Sequence, residues 1–266
     1  MRRTIALVGN PNVGKTVVFN ALTGLAHSTG NYPGVTVERK HGTAQINGVA
    51  ATLVDLPGSY SLAARSPDEI IVSDILLDQY RGEDNIDGLI VVVDASNLER
   101  NLYFVSQLLE VGKPIVIALN MMDIAERRKL VIDIPKLSET LGVPVVPIRA
   151  HKGVGIPELR EALGRLAGGE ISTPPRAYEH SLEYAEAVEQ LAETLAAQQD
   201  RIGRAVPVPE VSRMLADQGG FAEKRLVMTL GSEFQATLDG YRARLRKDGP
   251  SLAALEARAR YDWVSG

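Results

Sequence analysis

Gly9-Asn10-Pro11-Asn12-Val13-Gly14-Lys15-Thr16 fits the pattern G-x-x-x-x-G-K-[ST]. Residues of these types at this spacing cradle a phosphate chain. The glycines let backbone amides turn inward and approach phosphate oxygens without a Cβ in the way. A helix opening near Lys15 adds the positive end of its dipole beneath them. Lys15 is then placed to reach the β- and γ-phosphates, and Thr16 to give its hydroxyl to Mg²⁺. A second signal is Asp55-Leu56-Pro57-Gly58, at the end of an apolar run. A carboxylate there can hold a Mg²⁺-bound water, and the glycine amide can sense a γ-phosphate. Alone, Asp-x-x-Gly is equally well a strand-end turn, and it gains meaning from its place downstream of the phosphate loop.

Two further stretches read a base. In Asn120-Met121-Met122-Asp123 the carboxylate can accept from guanine N1–H and the exocyclic N2 amine, a donor pair that adenine lacks. Asn120 would tie neighbouring loops together, with N7 of the base in its reach. Met121 stands where a lysine is usual, and its thioether chain can cover one base face. In Ile148-Arg149-Ala150-His151-Lys152-Gly153 the Ala150 amide can meet guanine O6, while Arg149 replaces a customary serine. The three motifs together select GTP over ATP. Between the first two runs Gly30-Asn31-Tyr32-Pro33-Gly34-Val35-Thr36-Val37-Glu38, read as a movable segment. There the Thr36 hydroxyl completes the Mg²⁺ shell when γ-phosphate is present and leaves it afterwards.

These residues need a sheet to position them. Short aliphatic runs at Thr4–Val8, Arg39–Ile46, Ala51–Leu56, Leu89–Asp94, Ile115–Asn120 and Val145–Ile148 read as strands. Helical stretches at Lys15–Leu22, Pro67–Gln79, Glu99–Val111, Ile134–Leu141 and Pro157–Leu166 alternate with them. That alternation predicts an α/β fold, a mostly parallel sheet with helices on both faces. Asn47-Gly48 between the second and third runs is a hairpin signal, so one antiparallel edge pair is expected. The texture changes near Ser172-Thr173-Pro174-Pro175. Beyond it, Tyr184, Val188, Leu191 and Leu195, and then Phe234, Leu238, Tyr241 and Leu245, step along single helix faces. With a shorter helix over Glu210–Asp217, opened by Pro209, they predict a small all-α domain whose aromatic stripe is core. The expected division is residues 1–170 and 171–266.

Composition sets limits on the function. Of 266 residues 45% are hydrophobic, enough for a core rather than a disordered chain. A formal charge of −4 argues against a globally basic nucleic-acid binder. With no cysteine there is no disulfide, zinc–thiolate site, iron–sulfur cluster or thiol catalysis. The longest apolar run, Leu89–Val93, falls far short of the roughly 20 residues that cross a bilayer, and no signal peptide is read at Met1-Arg2-Arg3-Thr4. The chain reads as soluble and cytosol-facing. His27, His41, His151 and His180 are scattered without metal-ligand spacing. Glu38 and the pair Asp68-Glu69 read as proton relays or as solvated charges.

The motifs also resemble a known family. Gly-Asn-Pro-Asn-x-Gly-Lys-Thr at 9–16, Asn-Tyr-Pro-Gly-Val-Thr-Val-Glu at 31–38 and Leu-Val-Asp-Leu-Pro-Gly-Ser-Tyr-Ser-Leu at 53–62 are similar to the bacterial ferrous iron transporter B family. So are the stretches Val93–Leu102 and Leu119–Ala125; beyond Tyr178 the likeness is looser, resting on helical texture and the ending Tyr261-Asp262-Trp263. The resemblance implies a P-loop GTPase fold and an appended helical domain that favours GDP retention. A polytopic membrane domain would follow, so the chain reads as the cytosolic piece of a transporter at the bacterial inner membrane. Its partners would be that membrane domain, with a homo-oligomer and small accessory proteins of the same system left open, and no nucleic acid. The resemblance also implies monovalent-cation dependence, with Asn12 helping to ligate a K⁺ against the phosphates. The cation would stabilise transition-state charge as an arginine finger does.

One part of the usual chemistry is missing. After Gly58, where many small GTPases carry a water-positioning glutamine, stand Ser59 and Tyr60. Slow intrinsic hydrolysis is expected, with water oriented by backbone groups near Thr36 and Gly58 or by a residue that the sequence does not reveal. Three rival readings stay open: a soluble ribosome- or tRNA-associated GTPase, a non-hydrolysing nucleotide-binding scaffold, and a simple ATPase.

Overall fold

β1 (Arg3–Gly9), β5 (Gly88–Asp94) and β6 (Ile115–Asn120) are near-continuous runs of Val, Ile, Leu and Ala, buried along almost their whole length. Strands of that composition sit in the interior of a sheet covered on both faces. In the computed structural model, which describes residues 3–24, 27–32, 35–46, 49–64, 66–78, 85–174, 180–246 and 251–265, they do. With β2 (His27–Asn31), β3 (Glu38–Ile46), β4 (Val49–Asp55) and β7 (Val145–Pro147) they form a seven-stranded sheet in the order β2-β3-β4-β1-β5-β6-β7. β4, β1, β5, β6 and β7 are parallel, while β3 runs antiparallel to β4 and β2 antiparallel to β3. Helices lie on both sides of this mixed sheet, as the alternation predicts.

The first unit of the chain holds the sheet and its helices α1 (Lys15–Thr23), α2 (Pro67–Leu76), α3 (Leu98–Leu108), α4 (Met122–Arg127), α5 (Ile134–Leu141) and α6 (Ile156–Gly168). α1 and α6 bury Phe19, Leu22, Leu159 and Leu163 in one cluster with Ile5, Leu7, Leu53 and Ile90 of the strands. Burial of such side chains is worth about 1.5–3 kcal/mol each relative to exposure.

Three elements depart from expectation. The antiparallel pair of β3 and β4 is present, but the sheet edge lies one strand further out, at β2. His27-Ser28-Thr29-Gly30-Asn31 has no apolar alternation, and its strand exists because Asn31 and Gly30 pair with Glu38 and Arg39. The segment read as movable is therefore strand at both ends. The helix expected over Glu99–Val111 is α3 followed by a 3-10 turn at Leu109–Val111, and another 3-10 turn at Ala95–Asn97 leads into it. The short α4 was not expected. Asn47-Gly48, Gln79 and Pro175 lie outside the described residues.

The second unit is helical: α7 (Leu182–Ala196), α8 (Gln199–Ile202), α9 (Val208–Ala216), α10 (Phe221–Leu230), α11 (Ser232–Arg246) and α12 (Leu252–Ser265). Ser181 caps α7 by accepting from the Tyr184 amide. Tyr184, Val188, Leu191 and Leu195 are buried together, as their spacing predicts, with Phe234 and Leu238; Tyr241 and Leu245 pack half-buried against them. α9 starts two residues before the expected Glu210 because Pro209 fits the first turn, where no N–H is needed.

Buried polar groups pin this core. The Tyr184 hydroxyl donates to the Ser212 carbonyl at 2.7 Å. Arg242 donates to the Met214 and Leu215 carbonyls at the end of α9 and to Glu223 Oε2 at 2.6 Å. Glu210 accepts from both Arg204 and Arg225. Among the described residues no helix is long and apolar enough to cross a membrane.

Candidate nucleotide-binding site

The sheet register brings the motifs to one edge. Leu7 pairs with Asp55, Gly9 with Val92, and Asp94 with Asn120, so the phosphate loop, Asp55 and Asn120 all leave the carboxyl ends of parallel strands. That edge is where open α/β sheets bind ligands.

Residues 10–14 turn from β1 into α1. Val13 is buried and anchors the loop, while Asn12 holds a left-handed conformation at φ 65°. Gly14, at φ 91°, is the N-cap of α1, which puts Lys15 and Thr16 in the first helical turn. A Cβ on Gly14 would stand 2.5 Å from the Asn120 side-chain nitrogen. The glycine is thus required twice, by its backbone angle and by the close approach of the base-side strand. Asn10 is buried, with no protein partner for its Nδ2.

A cavity of about 280 Å³ opens beside the loop, lined among others by Lys15, Thr16, Thr36, Lys40 and Asp55. Burial holds the Lys15 ammonium below its usual range, although Asp55 pulls it back up. Burial likewise pushes the Asp55 carboxyl up, against the pull of Lys15 and Lys40. Asp55 Oδ1 is buried without a protein partner. A divalent cation fits this set, since two hydroxyls and a desolvated carboxylate are hard oxygen donors. Lys40 was missed by sequence reasoning. It is opposite Asp55 in the β3–β4 register and ion-pairs with Glu38 at 3.2 Å. The available signal was parity: Thr36, Glu38 and Lys40 stand two residues apart, on one face of an extended chain.

Gly58 lies against the phosphate loop, where an added Cβ would be 2.9 Å from Pro11 Cα. The next residue, Ser59, is buried, donates its amide to the Gly9 carbonyl at 3.2 Å and its hydroxyl to the Ser61 carbonyl at 2.6 Å. A hydroxyl so committed is not offered to a water.

The base-side residues gather at a second locus. Asn120 donates from Nδ2 to the Val13 carbonyl and accepts at Oδ1 from the Ala150 amide, each at 3.0 Å. The Ala150 amide expected to face guanine is thus engaged by Asn120. Met121, at φ 61°, is the N-cap of α4 and turns the chain so that Asp123 enters the first turn. Asp123 Oδ1 is buried without a protein partner, while Oδ2 lies 3.6 Å from His151, 3.7 Å from Lys152 and 3.9 Å from Arg127. Lost hydration works to raise its pKa, but His151, Lys152, a backbone hydrogen bond and Arg127 outweigh it and hold the carboxyl below the usual range. Arg149 is engaged elsewhere: its guanidinium pairs with Glu126. Among the described residues no group of His, Asp and Glu could hold a metal ion by itself; His41 bonds Ser28 and His180 stacks on Tyr184.

Three comparisons bear on this edge. A family profile described as Ferrous iron transport protein B matches residues 3–163. The Fe(2+) transporter FeoB of Legionella pneumophila (strain Paris) is 50% identical over 161 residues, which are 59% of this chain and 21% of that protein. The chain thus spans about a fifth of the length of the curated relatives it matches. Among solved structures, the cytosolic domain of L. pneumophila FeoB superposes with a TM-score of 0.78 at 36% identity, covering 98% of this chain and 96% of that one. A GDP-bound mutant of S. thermophilus NFeoB gives a TM-score of 0.79 at 32% identity, covering 99% and 98%.

Proposed function

The chain belongs to the ferrous iron transport protein B family, and on that premise we propose that it binds guanine nucleotides and hydrolyses GTP to GDP and phosphate. The observation that carries this reading is the pair of buried carboxylate oxygens without protein partners, Asp55 Oδ1 beside the phosphate loop and Asp123 Oδ1 at the base locus. A buried acceptor left unpaired costs free energy that a ligand recovers. One stands where a metal-bound water belongs and the other where guanine N–H groups belong.

The amides of Asn12, Val13 and Gly14 and the start of α1 surround the phosphates, with Lys15 supplying positive charge where the γ-phosphate leaves. Thr16, Thr36 and Asp55 hold Mg²⁺ directly or through water; when bound, it neutralises charge on the β- and γ-phosphates. Asn12 contributes to a K⁺ site against the same phosphates. Gly58 meets the γ-phosphate with its amide, and Asp123 and Met121 face the base, with Asn120 bracing the base loop through the Ala150 amide. With Ser59 turned to Ser61, no side chain after Gly58 positions the attacking water, and hydrolysis is slow.

Residues 1–170 form the G domain and residues 171–266 a helical domain that slows GDP release. In the whole protein these would act as a switch on ferrous iron uptake, with the chain's own membrane domain as partner at the cytoplasmic face of the inner membrane. Small accessory proteins of the same system and a second copy are further partners in this reading, and nucleic acid is not. The family match favours it over the ribosome- or tRNA-associated GTPase.

The test is direct. Purified chain with Mg²⁺ and K⁺ should bind GDP in calorimetry and release phosphate from GTP over several turnovers, leaving ATP intact. Binding without turnover would make it a scaffold, and ATP cleavage would remove the role given to Asp123.

A further inference from the structure

The segment after Gly58 is gripped by a single helix. Gln107 on α3 is 1% exposed, and its Oε1 accepts from the Leu62 amide at 2.8 Å and the Ser61 hydroxyl at 3.1 Å. Seven residues earlier, two turns along the same face, the Arg100 guanidinium lies 4.4 Å over the Tyr60 ring. The other end of the segment is fixed to the phosphate loop, by the Ser59 amide on Gly9 and the stacking of Gly58 on Pro11. Residues 58–62 are therefore held between the loop and α3. Gln107, Arg100 and Tyr60 have no part in the chemistry described above. A buried amide on an inward helix face is costly unless its oxygen is used; here it is used twice, on the backbone and side chain of the γ-phosphate-sensing segment.

We propose that Gln107 and Arg100 are positioning residues that keep Gly58 seated on the phosphate loop, and that this grip raises the affinity of the site for GTP while leaving that for GDP unchanged. The inference rests on the GTPase reading. Its logic is preorganisation: a segment tied at both ends by protein contacts has less entropy to lose when it meets its ligand. Only GTP carries the third phosphate that Gly58 meets, so loosening the segment weakens GTP binding and leaves GDP binding alone. Arg100 and Tyr60 are both exposed, so their pairing is open to substitution without disturbing the core.

Fluorescence titration with GDP and with a non-hydrolysable GTP analogue, joined to kcat and KM for GTP, tests it. Gln107→Leu, Arg100→Ala and Tyr60→Ala should each weaken the analogue about five- to tenfold. GDP affinity should stay within about twofold. Gln107→Glu keeps the acceptor and Tyr60→Phe keeps the ring, and each should restore analogue binding relative to Gln107→Leu and Tyr60→Ala. Parallel weakening of both nucleotides, or no change in either, overturns the proposal. If Gln107→Leu does not fold, the exposed Arg100 and Tyr60 variants decide by the same criterion. A parent chain that binds neither nucleotide overturns the GTPase reading instead, which is a separate result.

Discussion

The Asn120 side chain donates to the Val13 carbonyl at 3.0 Å, tying together residues 107 positions apart in the chain. Its oxygen accepts from the Ala150 amide, so one side chain locks the phosphate loop to the base loop. Asn120→Ala strands two buried backbone groups at once. At roughly 0.5–1.5 kcal/mol per lost bond, GDP affinity should fall about 10- to 100-fold. Asn120→Asp keeps the acceptor but turns an oxygen toward Val13, and should be no better. Calorimetric titration with GDP checks both; unchanged affinity in either would remove the bracing role.

Asp123→Asn exchanges a double acceptor for an amide whose NH₂ can donate. GTP should bind about 100-fold or more weakly, because a buried polar mismatch is penalised strongly. Xanthosine triphosphate, with a carbonyl at C2, should gain affinity in the same variant. Competition between the two nucleotides for the variant measures this, and retained GTP preference means that Asp123 does not read the base.

Gly58→Ala puts a Cβ 2.9 Å from Pro11 Cα and 3.0 Å from its nitrogen, both of them backbone. Neither can yield as a flexible side-chain tip would. Overpacking of this kind costs about 1–3 kcal/mol. A GTP analogue should lose about tenfold in affinity. Titration of the variant shows whether the close approach matters.

Asn12 holds a left-handed backbone that asparagine and glycine tolerate better than alanine. Asn12→Gly therefore removes the proposed K⁺ ligand while keeping the loop angle. In the parent chain single-turnover hydrolysis should run at least about tenfold faster in K⁺ than in Na⁺, and Asn12→Gly should abolish the difference. Equal rates in the two salts for the parent chain would eliminate the K⁺ site.

In the helical unit, lost hydration works to raise the Glu223 pKa, but hydrogen bonds from Arg242, Gly219 and Gln235 outweigh it and hold the carboxyl below its usual range. A depressed carboxylate adds stability above its unfolded pKa, and that stability is lost as the pH falls through the folded value. Glu223→Gln leaves the buried Arg242 charge with only the half-exposed Asp239, 3.4 Å away, as counter-ion and should cost about 2–3 kcal/mol near neutral pH. The gap between parent and variant should narrow as the pH drops below about 4.5. Urea denaturation across pH 7 to 3 reads it, and a constant gap would mean that the carboxylate charge is not what matters.

The sequence was sufficient wherever chemistry is carried by neighbours in the chain. Gly9 to Thr16 dictate a strand-to-helix turn through their own backbone preferences, and Lys15 and Thr16 reach the first turn of α1 by position alone. The Val- and Ile-rich runs of β1, β5 and β6 declare themselves interior because nothing in them tolerates water. Asp55 and Asn120 end such runs, so their place at the carboxyl edge follows from the strand pattern. His27–Asn31 was not legible as a strand, since an edge strand of polar residues takes its conformation from the partner it pairs with.

Local propensity and side-chain period act within a few residues, and from them the chain by itself determined the α/β pattern, the phosphate loop and the candidate residues proposed to bind a guanine nucleotide. Only the tertiary structure decided that Asn120 bridges Val13 and Ala150, that Lys40 faces the cavity beside Asp55, and that Gln107 grips Ser61 and Leu62. Each of these joins groups far apart in sequence or on different strands. Their geometry comes from sheet register and helix packing, quantities that no single segment carries.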